Sequence, residues 1–188
     1  EEQGETVHAS PLMARREPYS EIVPLDAAVL VAGCDCQDDR IEVEIVAFGV
    51  GEECWGIEYK TIYGAITNPA TWTSLDEFLN RSWKHESGVQ LRVASAMIDT
   101  GYQSKIVYDF CKPREVNRVF AIKGVAGVNR PVVSRPNRGN SAKVALFSLG
   151  VDSAKELIYS RLKIEDSGAG YCHFPIGQGY DEEYFEQL

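Results

Sequence analysis

The sequence predicts a mixed α/β domain: a sheet of five or more strands with helices on both faces. Two observations carry this reading. Residues 27–63 contain three apolar or alternating runs joined by short polar turns, the pattern of an antiparallel meander. From residue 74 onward, helical and extended periodicities alternate, as they do where helices connect parallel strands.

The first strand is the apolar run 27–34, and Gln37-Asp38-Asp39 supplies turn chemistry after it. In the second, Ile41, Val43, Ile45 and Ala47 alternate with Glu42, Glu44, Val46 and Phe48, a period of two. A turn at 49–53 leads to a third strand over 54–63. A helix is expected from about Ser74 to Lys84, capped by Thr73 or Ser74, with Leu75, Phe78, Leu79 and Ser82 on one stripe. A fourth strand, 90–98, runs into Asp99, and Thr100-Gly101 turns into a second helix that carries Tyr102, Ile106, Val107 and Phe110 on one face until Pro113 ends it. Val119–Ile122 makes a fifth strand, closing on Lys123-Gly124. The stretch 124–143 is rich in Gly, Pro, Asn and Ser and reads as a β-excursion or long loop. Another strand, 144–149, precedes a helix that Asp152 is expected to cap, and 180–188 reads as the opening of a last helix. Three antiparallel strands followed by helix, strand, helix, strand fit a ribonuclease H-like sheet. In that arrangement the first and fourth strands are neighbours.

Two aspartates sit where apolar strands run out: Asp35 after 27–34 and Asp99 after 91–98. Open α/β sheets bind ligands at the carboxyl ends of their strands. Two carboxylates on neighbouring strands are suited to share Mg²⁺ or Mn²⁺, which take oxygen ligands, and metal-assisted hydrolysis of a phosphodiester is the chemistry this pattern suggests. Lys123, at the end of the fifth strand, is expected at the same rim, where an ammonium offsets phosphate charge.

The formal charge of −9 is unusual for a protein that meets nucleic acid, but it is unevenly spread. Residues 112–143 hold eight basic side chains against Glu115 alone, a local surplus of +7. Such a segment in an acidic body suits a polyanion, with Lys123, Arg130, Arg135, Arg138 and Lys143 as candidate phosphate contacts. The five cysteines, an odd number set in apolar segments, suggest reduced thiols in a cytosolic setting, and Cys34 and Cys36 lack CxxC spacing. No apolar stretch approaches the roughly 18 residues of a membrane span. Residues 1–25 are polar, contain Pro11, Pro18 and Pro24, and read as an interdomain tether preceding a domain at 26–188.

Several ordered strings resemble the nuclease domain of lambda-type phage terminase large subunits: 32–40 (Ala-Gly-Cys-Asp-Cys-Gln-Asp-Asp-Arg), 51–55 (Gly-Glu-Glu-Cys-Trp), 98–102 (Ile-Asp-Thr-Gly-Tyr), 121–124 (Ala-Ile-Lys-Gly), 151–156 (Val-Asp-Ser-Ala-Lys-Glu) and 171–175 (Tyr-Cys-His-Phe-Pro). The likeness spans roughly residues 18–188. It implies a metal-dependent endonuclease that cuts concatemeric double-stranded DNA during genome packaging in the bacterial host cytoplasm, using two ions in the intact site. It further implies an ATPase domain in the same polypeptide, a small terminase subunit, and the portal of the procapsid as partners. No GxxxxGK[ST] loop occurs in this sequence. Asp35 and Asp99 match the family's first two acidic ligands, and Lys123 matches a lysine near its active site. The family's third acid lies in an Asn-Glu-Ala-Leu-Asp segment that this chain, ending at Leu188, does not contain, which implies a C-terminally truncated domain. Asp181 and Glu182 are the late acids available to replace it. The competing readings are a resolvase- or transposase-like nuclease on the same fold, and a non-catalytic DNA-binding or docking module.

Overall fold

The computed structural model describes residues 9–19 and 22–188. Its centre is a mixed sheet in the order β7-β6-β5-β1-β2-β3-β8. β1 (Ala27–Cys36), β2 (Arg40–Gly49) and β3 (Cys54–Tyr63) form the expected meander. β5 (Gln90–Asp99) lies parallel to β1, followed outward by β6 (Val119–Val125) and β7 (Leu146–Gly150), also parallel. β4 (Ser82–Lys84) is an antiparallel strand on β5, and β8 (Cys172–His173) runs parallel to β3. The sheet is larger than the five-stranded minimum read from the sequence, and its first strand does neighbour the one that ends in Asp99.

Strand alternation decides what each face carries. Leu30, Ala32, Cys34, Cys36, Ile41, Val43, Ile45 and Ala47 point to one face, where Trp72, Leu75, Phe78 and Leu79 of α2 (Pro69–Leu79) and Val107, Phe110 and Cys111 of α3 (Ser104–Cys111) close over them. Each large apolar side chain buried here contributes about 1.5–3 kcal/mol. Cys34 and Cys36 are free thiols packed into this core.

A second cluster covers β2 and β3 from the other side. Leu12 of α1 (Ala9–Ala14), Leu162 of α4 (Val151–Leu162), Cys172, Phe174, Tyr180, and Tyr184 and Phe185 of α5 (Glu182–Glu186) pack together. Glu44, on the strand face opposite Val43 and Ile45, accepts hydrogen bonds from the hydroxyls of Tyr180 (2.9 Å) and Tyr184 (2.8 Å). Helices therefore lie on both faces, as expected. Residues 9–19 of the segment read as a tether fold against this cluster: Arg15 donates to the carbonyls of Leu162 (3.1 Å), Ile164 (3.0 Å) and Cys172 (3.0 Å), and the Glu17 N–H donates to the Phe174 carbonyl (2.8 Å). Residues 1–8 and 20–21 lie outside the described residues.

Two local readings need correction. The helix expected over 74–84 runs Pro69–Leu79, because Asn68 caps it, accepting the Ala70 N–H at 3.0 Å, with Pro69 in its first turn; Ser82 and Lys84 belong to β4. Asp152 is not the cap of α4. Gly150 holds that position, and Asp152 accepts the Gly127 N–H at 2.9 Å, tying the loop after β6 to α4.

Candidate active site

Asp35 is the penultimate residue of β1, and because Cys34 and Cys36 turn into the core, its side chain projects from the opposite face into solvent. Its Oδ2 accepts from Gln37 Nε2 at 3.0 Å. Asp99 ends β5. The parallel register pairs Gly33 with Met97 and Cys34 with Ile98, so the next step places Asp99 beside Asp35. Cys34 and Ile98 are both buried, which puts the two carboxylates on the same face of adjoining strands. Neighbouring strands lie about 4.8 Å apart. Carboxylates at that separation are suited to hold one divalent cation with oxygen bonds of about 2.0–2.1 Å.

The surroundings position both groups. Asp99 Oδ2 accepts the Gly101 N–H at 2.8 Å, which fixes its rotamer in the turn after β5. Thr100 anchors that turn on β6 through its N–H (2.9 Å) and hydroxyl (3.0 Å), both donated to the Ile122 carbonyl. The Tyr102 hydroxyl donates to Asp38 Oδ1 at 2.7 Å, linking the turn after β5 to the turn after β1 across the rim. Gly33, one step behind Asp35 on the same face, has open space above it, since a Cβ there would meet no atom within 4 Å. That opening leaves room for a bulky ligand beside the carboxylates.

Glu42 lies directly opposite Asp35 on β2 and on the same face, so three carboxylates run across β5, β1 and β2. They are not equivalent. Glu42 is paired with Arg40 at 2.7 Å, whereas Asp35 and Asp99 are held by neutral donors. Counting across the 37–39 turn identifies Glu42 from the sequence, because pairing Cys36 with Ile41 sets Asp35 opposite Glu42. Among the described residues, no group of three or more His, Cys, Asp or Glu side chains closes around a single point as a metal cage would.

The remaining candidates are more widely placed. Lys123 is exposed and pairs with Ser148 of β7; Ile122, not Lys123, stands across from Asp99, so alternation turns Lys123 to the other face of the sheet. Asp181 caps α5, accepting the Tyr184 N–H at 3.2 Å, and lines a cavity of about 390 Å³ shared with Arg40, Glu42 and Tyr59. It adjoins Glu42, on the far side of β2 from Asp99. The basic stretch folds back along the free edge of β7, with Asn137 paired to Leu146 and Val133 to Leu149. Arg135 and Lys143 are exposed there. Arg130 Nε donates to the Ala126 carbonyl at 2.8 Å. The Arg138 guanidinium grips Glu115 at 2.7 Å and, with the Ala145 N–H, holds that carboxyl below its usual range. Arg138 thus secures the base of the excursion.

The whole chain, residues 1–188, matches the family model described as terminase large subunit gpA, endonuclease domain. It is similar to the terminase large subunit of Escherichia phage lambda, with 36% identity over 177 residues that make up 92% of this chain and 28% of that protein. It is also similar to the terminase large subunit of Enterobacteria phage P21, with 30% identity over 190 residues, 98% of this chain and 29% of that protein. The chain thus spans less than a third of the length of these relatives. No solved structure matches it. Among the described residues no helix is long and apolar enough to cross a membrane. An acidic pair at adjoining strand ends, on a fold of this order, is carried by a chain that belongs to the terminase large subunit gpA endonuclease-domain family.

Proposed function

We propose that this domain is a divalent-metal-dependent endonuclease that hydrolyses phosphodiester bonds of double-stranded DNA, with Asp35 and Asp99 holding Mg²⁺ or Mn²⁺, and that within the full polypeptide it cuts concatemeric DNA during packaging. The supporting observation is the register that sets the two carboxylates side by side on one face of β1 and β5. Hard oxygen donors of this kind suit Mg²⁺ and Mn²⁺, which bind through one or two carboxylates and complete their shell with water and substrate phosphate. A divalent cation held by Asp35 and Asp99 would supply Lewis-acid activation of water and would offset phosphate charge. Asp35 and Asp99 both project from strands flanked on both sides, and the Gly101 N–H aims Asp99. Arg130, Arg135 and Lys143 are proposed to steer the DNA backbone, and Lys123 to meet a phosphate over the strand ends. The ATPase domain, small subunit and portal are proposed partners, and the host cytoplasm the proposed setting.

The test is conversion of supercoiled plasmid by the 188-residue chain. Nicked or linear product is expected with Mn²⁺ and none with EDTA. DNA binding without cleavage under any divalent cation overturns the proposal in favour of a docking module.

A second expectation concerns Gly101. A Cβ there would lie 2.7 Å from Asp99 Oδ2, so Gly101→Ala forces the carboxylate out of its present position. Cleavage should fall about tenfold or more, the scale of disturbing a group that orients a metal ligand. The denaturation midpoint should barely move, since Gly101 is exposed.

A further inference from the structure

Cys54 and Cys172 lie opposite each other where β3 and β8 pair in parallel. Strands in a sheet run about 4.8 Å apart, inside the Cα separation of about 4.4–6.8 Å that a disulfide bridges. Both are free thiols. Cys172 is buried, and Cys54 is partly buried.

Their environment is asymmetric. The neighbouring Cys54 thiol and the charges of Arg15 and Arg161, opposed by burial, hold the Cys172 thiol below its ordinary value. The neighbouring Cys172 and burial push Cys54 up. The pair also sits at a structural junction. Arg15 bonds the Cys172 carbonyl, and Glu17 bonds Phe174 two residues further on, so the N-terminal segment is fastened to the same edge strand.

We propose that Cys54 and Cys172 are a peroxide-responsive dithiol that closes to a reversible disulfide, stapling β8 and the segments docked on it to β3. The Cys172 thiolate attacks hydrogen peroxide; the O–O bond breaks, a Cys172 sulfenic acid forms, and hydroxide leaves and takes up a proton as water. The Cys54 sulfur then attacks that sulfur, the S–O bond breaks, and a second water departs with the Cys54 proton. Two thiols are oxidised and one peroxide is reduced.

The experiment treats the chain with hydrogen peroxide and follows it by intact mass, peptide mapping and thermal melting. A loss of two hydrogens, a peptide joining Cys54 to Cys172, a Tm raised by about 5 °C or more, and full reversal by a reducing thiol are expected. Cys54→Ser should yield no such cross-link, with oxidation stopping at oxygen adducts on Cys172. The proposal is overturned if peroxide adds oxygen to the unsubstituted chain without cross-linking, if it joins another pair of cysteines, or if Cys54→Ser melts higher after oxidation just as the unsubstituted chain does.

Discussion

Asp35→Asn is expected to reduce DNA cleavage at least a hundredfold while leaving the domain folded. Asn keeps the shape of the side chain and can still accept from Gln37, and the position is solvent-exposed. Stability should therefore stay within about 0.5 kcal/mol. What is lost is a negative charge placed beside Asp99. Removing a residue that merely supports a metal ligand costs about 10–100-fold in affinity or activity, and a ligand itself costs more. Glu42→Gln is the informative contrast. Glu42 shares the face but is committed to Arg40, so its effect on cleavage should be much smaller. The comparison is read from initial rates of plasmid nicking with Mn²⁺, alongside urea midpoints for both variants. Rates for Asp35→Asn within a few-fold of the unsubstituted chain would remove Asp35 from the chemistry.

Tyr180→Ala is expected to be the most destabilising single change among those considered. Tyr180 is fully buried. Its ring packs against Phe174 and Tyr184, and its hydroxyl donates to Glu44. Truncating a buried aromatic costs about 3–5 kcal/mol, a large part of the stability of a domain of this size.

Tyr180→Phe separates the hydroxyl from the ring and adds a dependence on pH. Burial raises the Glu44 carboxyl above its usual range, and the hydroxyls of Tyr184 and Tyr180 act against that rise by favouring the charged form. A carboxyl raised on folding contributes stability when protonated and loses it as pH climbs through its folded value. Removing one donor raises Glu44 further and weakens only the ionised state. Tyr180→Phe should therefore cost about 1–3 kcal/mol at neutral pH and clearly less in mild acid, as measured by urea unfolding at both. An equal loss at the two pH values would show that Glu44 does not carry the effect.

Much of the sheet is legible in the sequence because its strands are written locally. Ile41, Val43, Ile45 and Ala47 alternate, and a three-residue turn leaves little choice of register with β1. The adjacency of β1 and β5 follows from strand order, and with it the pairing of Asp35 and Asp99. Lys123 shows where reading by strand ends stops short. Its position along β6 is evident, but its face depends on which residue stands across from Asp99, and that residue is Ile122. The lobe around Tyr180 is illegible for another reason. It joins α1, the end of α4, β8 and α5, and its key hydrogen bond spans 136 residues from Tyr180 to Glu44. No local periodicity reports such a contact. The start of α2 is also written locally, since Asn68-Pro69 is a cap followed by a first-turn proline, but the apolar stripe of α2 that begins at Leu75 lies a turn and a half further on.

The most direct measurement is anomalous diffraction from crystals of the 188-residue chain soaked in Mn²⁺. A peak within ligand distance of both the Asp35 and Asp99 carboxylates, absent from Asp35→Asn crystals, is the predicted result. Manganese bound elsewhere, with this pair of side chains left empty at saturating metal, would contradict the placement of the cation between β1 and β5.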